Sequence, residues 1–304
     1  MTSGPYVVVV GGANMDIAGR PLSALVPRDS NIGTVRLSPG GVGRNIAHNL
    51  ALLGIDVRLV TAFGEDAQAD SLVEGCREAG IDLTHSFVVP GCSTSTYLYV
   101  TDEHGEMEVA INDMAILDQL TPERLERCLA LLEGAAVVVV DTNLPAQTLA
   151  WIADHVSAPL FCDPISTAKA LRVAPIMGRL HTLKPNLLEA RSLAGMGAKA
   201  GAEVAARELL STGLQRAFVS LGAEGVFCAA QDHTVHLPLL PCHVINTTGG
   251  GDAMMAGLVW AHLQGLELEE AGRAGLAASA IAVESGETVS PQMSEAALLK
   301  RMRA

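Results

Sequence analysis

The sequence is poor in aromatic residues, which make up 3% of its 304 positions. An extended surface for stacking nucleic-acid bases is therefore excluded. Basic residues are also scarce, since 20 lysines and arginines stand against 33 aspartates and glutamates, giving a formal net charge of −13. This balance argues against an electrostatic grip on duplex nucleic acid or on an anionic membrane. An anionic substrate would have to be held by a local device such as backbone amides.

Paired cysteines and long apolar runs are missing as well. The 6 cysteines are scattered without a C-x-x-C pair, which argues against a zinc knuckle or a disulfide framework. The first residues lack the basic region of a signal peptide, and the longest apolar run, residues 135–140, is far too short to span a membrane. We therefore expect a cytoplasmic protein with reduced cysteines.

The sequence does contain enough apolar material for a large core, since 49% of its residues are hydrophobic. Short β-branched runs alternate with amphipathic stretches, which predicts an α/β fold, a doubly wound and mostly parallel sheet with helices on both faces. A helix is predicted to begin at Pro122, with Leu125, Leu129 and Leu132 on one face. The predicted strands are residues 6–10, 57–61, 137–140, 160–162 and 217–220.

Two stretches break this alternation. Residues 28–39 and 94–113 have the pattern of strands without intervening helices, and the second is typical of a hairpin that turns at residues 103–105. They predict a small β flap over the carboxyl edge of the sheet. A length near 300 fits one large α/β domain with such an excursion, or two small domains.

The glycine-rich loops indicate phosphate chemistry but match neither common nucleotide motif. The sequence has no G-x-x-x-x-G-K-[ST], and the glycines at 11–12 and 41–43 do not complete G-x-G-x-x-G. The loop of residues 246–252 places Gly249, Gly250 and Gly251 before an apolar helix, whose free amides and dipole would form an anion hole. Asp252 would repel an anion there, unless it accepts the proton of an attacking hydroxyl while the amides hold a phosphoryl group. The alternative is that Asp252 only favours the helix N-terminus.

Two earlier motifs each have a ligand interpretation and a structural one. Asn14 and Asp16 follow the first predicted strand and could grip a diol, or they could form an ordinary Asx turn. Gly41 could bring its backbone close to a polar ligand, with the Asn45 side chain on the first helical turn, or the two residues could cap a helix.

Asn186 and Glu189 form a fourth motif. Their spacing of three places both on one helix face, which suits water-mediated binding of Mg²⁺. The same spacing is typical of an N-cap with its capping-box glutamate, and both interpretations can hold together.

Taken together, these loops resemble the two signature patterns of the ribokinase-like family of sugar and nucleoside kinases, the phosphofructokinase-B type. The first pattern runs through residues 40–47 as G-G-x-G-x-N-x-A, followed by Gly54 and Gly64, and the second runs through residues 246–252 as N-T-x-G-G-G-D. The resemblance covers essentially the whole chain. It implies a single α/β domain over residues 1–304 with a β lid from residues 17–40 and 93–113.

The resemblance also implies a role for each motif. Asp252 would be the general base, beside an anion hole of Gly249, Gly250 and Gly251. The residues that would hold the sugar hydroxyls are Asn14, Asp16, Gly41 and Asn45. The residues that would support Mg²⁺ and ATP are Asn186 and Glu189, with Ser220, Gly222 and Gly225 lining the nucleotide. Homodimers through the lid are common in the family and are expected here.

Within the family, several stretches are most similar to pseudouridine kinases, among them residues 110–114 (A-I-N-D-M). This implies an ATP-dependent kinase that phosphorylates the 5′-hydroxyl of pseudouridine. The polar lid or rim residues that could pair with the base are Ser30, Asn31, Thr96, Asn112 and Asp113. Each of them could equally be a solvated edge-strand residue.

One position departs from the family pattern. Many members carry aspartate where this sequence has Asn246, a position associated with a monovalent cation, so activation by K⁺ is doubtful. The alternatives to a pseudouridine kinase are another nucleoside or free-sugar kinase and a sugar-sensing regulator that has lost catalysis. A phosphosugar kinase is a further alternative, in which Arg28, Arg36 or Arg44 would bind a second phosphate.

Overall fold

The computed structural model describes residues 4–304, which form a large sheet, a smaller sheet, a short two-stranded pair and surrounding helices. The strands are β1 (Tyr6–Val10), β2 (Asn14–Pro21), β3 (Gly33–Gly40), β4 (Asp56–Val60), β5 (Ala62–Phe63), β6 (Phe87–Val88), β7 (Thr96–Thr101), β8 (Met107–Asp113), β9 (Val137–Asp141), β10 (Leu160–Asp163), β11 (Thr182–Leu183), β12 (Arg216–Ser220), β13 (Val226–Ala230) and β14 (His233–Leu237). The helices are α1 (Val42–Leu52), α2 (Ala67–Glu78), α3 (Pro122–Leu125), α4 (Leu129–Glu133), α5 (Ala146–His155), α6 (Thr167–Ala170), α7 (Leu187–Leu193), α8 (Ala202–Ser211), α9 (Gly250–Leu263), α10 (Leu268–Val283) and α11 (Glu295–Met302).

The large sheet has eight strands in the order β14-β13-β12-β11-β10-β9-β1-β4. The run from β12 to β4 is parallel, and β13 and β14 add an antiparallel edge. Successive valines of β1 alternate between two cores, because neighbouring residues of a strand face opposite sides. Val8 and Val10 pack in one core, while Val7 and Val9 pack in the other. The predicted fold class, a doubly wound α/β sheet, is therefore confirmed.

The strand order reverses at β1, which pairs with β4 on one side and with β9 on the other. Connections leave such a point in opposite directions, and a crevice opens at the carboxyl ends of the strands. The first turns of α1 and α9 meet at this crevice, where Asn45 bonds to Asp252. The topology thus brings together two motifs that lie about 200 residues apart in the sequence.

The smaller sheet has four strands in the order β3-β2-β7-β8. Strands β3, β7 and β8 come from the two stretches that break the α/β alternation, whereas β2, which begins at Asn14, precedes the first of them. We call this sheet the lid. Its hairpin β7–β8 turns through residues 102–106, where Asp102 accepts hydrogen bonds from the amides of His104 and Glu106.

Two details differ from the expectations. The helix predicted from Pro122 is interrupted, because a 3₁₀ turn at Glu126–Cys128 separates α3 from α4. Leu125 and Leu132 are nevertheless buried. Of the helices formed by residues 4–304, none has both the length and the apolar content needed to cross a bilayer.

Candidate active site

The glycine triplet forms the start of α9. Gly249 is the N-cap, and its φ of 81° lies in the left-handed region. A Cβ at this position would collide with the carbonyl oxygen of Thr288, so the turn requires glycine. Because glycine has no side chain to cap the helix, the first amides of α9 can bind an anion. Gly250 and Gly251 line a cavity of about 320 Å³ that ends at this turn.

Asp252 lies half-buried in the first turn of α9. Its Oδ2 accepts a hydrogen bond of 2.8 Å from Asn45 Nδ2. Burial first, and then the negative charge of Asp163, raise the pKa of Asp252, which reaches about 7 although Asn45 and Lys184 oppose the rise. A carboxylate with a pKa near neutrality, beside an anion-binding helix end, can act as a general base.

Lys184 places a positive charge beside the glycine triplet. Its Nζ forms an ion pair of 3.1 Å with Asp163 Oδ2, and the Lys184 residue is 6% exposed. A Cβ on Gly251 would lie 3.2 Å from this Nζ, so the ammonium group flanks the first turn of α9. Burial lowers the pKa of Lys184, but Asp163, with Asp252 and Glu189, more than offsets that effect, so the amine stays charged.

Asp141 links the turn after β1 to the first turn of α1 at this crevice. Its Oδ2 accepts hydrogen bonds from the amides of Gly12, at 2.7 Å, and Gly43, at 3.0 Å. Burial raises the pKa of Asp141 to about 6, although these amides favour the ionised form. The sequence interpretation did not select Asp141, Asp163 or Lys184. Each ends or directly follows a strand of the large sheet, and this position at the carboxyl edge was the available signal.

The predicted sugar-binding residues converge on the same crevice. Asn14 Nδ2 donates a hydrogen bond of 2.6 Å to Asp16 Oδ1. Burial raises the pKa of Asp16, while Asn14 and the charge of Arg44 lower it. Gly41 has a φ of 97°, and a Cβ there would meet the backbone of Gly12 and Ala13, so α1 approaches the β1–β2 turn closely. The structure thus brings these residues together near Asp252.

The lid has one polar face and one apolar face. Asp16 lies opposite Ser38 and Tyr97 in register, and Tyr97 lies opposite Asn112. Directly paired residues share a face, so Asn112 lies on the same face as Asp16. Thr96 and Asp113 pair one position away and therefore lie on the opposite face, with Met15. The structure does not bring these two predicted base-binding residues to the face of Asp16.

Ser30 and Asn31 belong to the exposed loop between β2 and β3. Asn31 Oδ1 accepts from the Val26 amide at 2.8 Å, and its Nδ2 donates to the carbonyls of Val26 and Asp29. The Ser30 amide donates to Asp29 Oδ1. These bonds stabilise the loop itself, so contact of either side chain with a base remains a prediction.

The predicted nucleotide-binding residues lie on the other side of the glycine triplet. Ser220, Gly222 and Gly225 line the cavity of about 320 Å³ together with Gly250 and Gly251. The remaining walls are mostly apolar, as in many small-molecule sites. Asn186 lines an adjoining pocket of about 260 Å³, which shares Ser220 and Gly222 with the larger cavity. The two pockets therefore form one continuous surface.

Asn186 and Glu189 form a capping box at the start of α7. Asn186 Oδ1 accepts from the Glu189 amide, and Glu189 Oε2 accepts from the Asn186 amide, both at 2.9 Å. The structural interpretation of this motif therefore holds. Carboxylate and carboxamide oxygens suit Mg²⁺, and Glu189 Oε1 lies outside these bonds, so a water-mediated contact is chemically compatible.

The chain matches a known family over nearly its full length. The family described as pfkB family carbohydrate kinase matches residues 5–295. The chain therefore belongs to the pfkB family of carbohydrate kinases, and it is a phosphotransferase that uses an alcohol as acceptor. It is 40% identical to the pseudouridine kinase of Escherichia coli over 293 residues, which cover 95% of this chain and 94% of that relative.

A second relative limits what this similarity decides about the substrate. The chain is 39% identical over 300 residues to YeiI of Escherichia coli, an uncharacterized sugar kinase, covering 97% of this chain and 82% of YeiI. Among solved structures, a carbohydrate kinase from Agrobacterium tumefaciens is 30% identical, with a TM-score of 0.88 over 99% of this chain and 97% of that one. The Arabidopsis thaliana ribokinase complexed with ribose and ATP has a TM-score of 0.86 at 23% identity, over 99% of this chain and 100% of that one, which shows a shared fold.

Proposed function

We propose that this protein is an ATP-dependent kinase that phosphorylates the 5′-hydroxyl of pseudouridine. The observation that carries the kinase reaction is the arrangement of Asp252, a carboxylate with a pKa raised to about 7, beside the glycine turn of α9 and the ammonium group of Lys184. A base, an anion-binding turn and a cation at one point are the parts that phosphoryl transfer needs. The intact set argues against a regulator that has lost catalysis.

In the proposed reaction, Asp252 takes the proton of the 5′-hydroxyl as its oxygen attacks the γ-phosphorus. A bond forms between the 5′-oxygen and the γ-phosphorus while the bond from the γ-phosphorus to the bridging oxygen breaks, and ADP leaves. Asn45 holds Asp252 Oδ2, which leaves Oδ1 for the incoming proton. The amides of α9 and Lys184 stabilise the charge on the transferring group.

ATP would lie in the cavity bordered by Ser220, Gly222 and Gly225, with its phosphates directed to the glycine triplet. The complex of Arabidopsis ribokinase with ATP supports this donor by similarity of fold. Mg²⁺ bound with the triphosphate would neutralise part of its charge, and Asn186 and Glu189 would hold it through water.

The choice of pseudouridine rests on the 40% identity to the Escherichia coli enzyme and on the composition of the lid. The C-linkage of pseudouridine places an extra N–H on the base edge, where uridine has C–H. An acceptor aimed at that N–H is left unpaired by uridine, which costs about 1–3 kcal/mol. Asn112, on the lid face of Asp16, is the residue that we assign to the base.

A coupled ADP-release assay across pseudouridine, uridine, adenosine, ribose and fructose tests this choice. We expect kcat/KM for pseudouridine to exceed that for uridine by at least about 10-fold. This ratio corresponds to the lower part of the cost of about 1–3 kcal/mol for an unpaired acceptor. Asn112→Ala should narrow this ratio, whereas the matched control Asp113→Ala, on the opposite lid face, should leave it unchanged. Equal efficiency on both nucleosides would refute the assignment, and a clear preference for ribose or fructose would favour a free-sugar kinase of the YeiI kind.

The apolar face of the lid supports a second proposal, that the protein forms a homodimer through this sheet. Leu37, Ile17, Leu98 and Ile111 lie side by side across the four strands. Leu37 is 56% exposed, Leu98 38% and Ile111 62%, which is unusual for large apolar residues in one row of a sheet face.

Sedimentation velocity at about micromolar protein tests this association. We expect a dimer that Ile111→Asp converts to a monomer. Val204→Asp, at an exposed valine of α8 outside the lid, is the matched control and should remain dimeric. A wild-type protein that sediments as a monomer would contradict the proposal.

A further inference from the structure

Arg44, in the first turn of α1, is a charged side chain in a buried position, since the residue is only 6% exposed. Its guanidinium contacts uncharged groups, the Cys76 thiol and three nitrogen or oxygen acceptors. Nη1 donates to the carbonyl of Pro39 at 3.1 Å and to Asn45 Oδ1 at 2.9 Å, and Nη2 lies 3.1 Å from His48 Nδ1. Because guanidinium has no acceptor, His48 Nδ1 must accept, which requires a neutral ring. Burial and the charge of Arg44 lower the pKa of His48 to about 4, in agreement with this.

The same argument fixes the orientation of the Asn45 carboxamide. A carboxamide can point either way unless its neighbours distinguish oxygen from nitrogen. Arg44 offers only donors, so the atom of Asn45 that faces it must be Oδ1. The Nδ2 group then faces Asp252 Oδ2 at 2.8 Å. The reversed orientation would oppose donor to donor at Arg44 and acceptor to acceptor at Asp252.

Arg44 also connects this pair to the lid. Pro39 is the penultimate residue of β3, and it pairs with Met15, between Asn14 and Asp16 on β2. The guanidinium therefore bonds at once to the lid strand that lies beside the proposed sugar site and to the residue that holds the proposed base.

We infer that Arg44 is a positioning residue, which fixes the Asn45 carboxamide so that it donates to Asp252 and thereby keeps Asp252 Oδ1 free for the substrate hydroxyl. This inference rests on the proposed function of Asp252. It also gives a role to a buried cation whose hydrogen bonds go only to uncharged groups. In this role Arg44 acts through Asn45, to which its Nη1 donates, and not on the reacting atoms.

The first test replaces Arg44 by Met, which keeps the length of the side chain but removes every donor. We expect kcat to fall about 10- to 100-fold with KM for ATP changed less than about twofold, because the nucleotide cavity is elsewhere. Arg44→Lys, which keeps donors and charge, should recover part of this loss. His48→Ala is the matched control, since it leaves both bonds of Nη1 in place, and its kcat should stay within about twofold of the wild type.

The pH profile provides a readout that a merely structural role would not move. The acidic limb of kcat/KM should shift upward by about 0.5–1 unit in Arg44→Met, because Asp252 loses an oriented donor and a nearby positive charge. The charged groups that act on Asp252 are Asp141 from β9, Asp163 from β10, Lys184 after β11 and Arg44 from α1. Only the last of these differs between the two proteins. An unchanged limb would overturn the inference.

A double-mutant cycle with Asn45→Ala completes the test. If Arg44 acts through Asn45, Arg44→Met should lower kcat less than about twofold in the Asn45→Ala background. Equal losses in both backgrounds would overturn the inference. If Arg44→Met does not fold, Arg44→Gln replaces it in the cycle, because glutamine carries both a donor and an acceptor and cannot impose one orientation. Asp252→Asn, measured in parallel, separates the two claims: if it stays active the proposed function fails, whereas an inactive variant with an additive cycle refutes only the role of Arg44.

Discussion

Replacing Lys184 by Met should weaken both the fold and the reaction. Its Nζ lies 3.1 Å from Asp163 Oδ2, and the two residues are 6% and 5% exposed. Removing one partner of a buried ion pair leaves the other charge uncompensated, at a cost of about 3–5 kcal/mol. For a chain of 304 residues the entropy of unfolding is about 0.6 kcal/mol per kelvin, so the melting temperature should fall by about 5–8 °C.

The double variant Asp163→Asn with Lys184→Met separates stability from chemistry. With both charges removed, we expect the melting temperature to return to within about 3 °C of the wild type. The activity should not return, because the cation beside Gly251 is still missing, and kcat should remain about 10²–10³-fold low, as for the loss of one stabilising donor. Circular dichroism melts and ADP release measure the two effects. A double variant as unstable as the single one, or a single variant with normal kcat, would refute this reasoning.

The pH dependence, the glycine turn and the response to potassium can each be tested separately. Because burial raises the pKa of Asp252 to about 7, its proton-accepting form accumulates only above that pH, and kcat/KM should fall about tenfold per pH unit below it; a profile that stays flat down to about pH 5 would contradict a base at this position. Gly249→Ala should unfold or strongly destabilise the α9 turn. Gly251→Ala should fold with reduced kcat, because its Cβ would meet only Lys184 Nζ at 3.2 Å. Similar melting temperatures for the two variants would argue against a strained turn at Gly249. Asn246 Oδ1 accepts from the Thr248 amide at 3.0 Å instead of offering a charge, so we expect K⁺ to raise the rate less than about tenfold over a bulky organic cation at equal ionic strength; a larger stimulation would show a competent cation site.

The elements that could be predicted from the sequence are those with a strong local pattern. The valine runs of β1 and β9 are buried on both faces, so continuous β-branched residues identified them directly. The turn at Gly249 was predictable because three consecutive glycines before an apolar stretch are typical of a tight backbone turn at a helix N-terminus. The hairpin of β7 and β8 was identified from alternation and its polar turn.

The rest of the site depends on contacts that no local pattern contains. Asp163 and Lys184 are single residues at the ends of two strands, and their ion pair follows only from the neighbouring places of β10 and β11 in the sheet. The faces of the lid also could not be predicted from a local pattern. Asn112 and Asp113 are adjacent in sequence, and the pairing register alone decides which of them shares the face of Asp16. The side chain of Asn31 is polar, but its hydrogen bonds go to the backbone of Val26 in its own loop.

The most direct test of phosphoryl transfer with Asp252 as the base is the rate of ADP release from ATP and pseudouridine by Asp252→Asn. Asparagine keeps the size of the side chain, and its oxygen can still accept the hydrogen bond from Asn45, but it cannot accept the proton of the hydroxyl. We expect a folded variant with nearly unchanged affinity for ATP and a kcat about 10²–10⁴-fold below that of the wild type. Turnover near the wild-type rate would contradict the central claim, because Asp252 would then be only a residue that favours the N-terminus of α9.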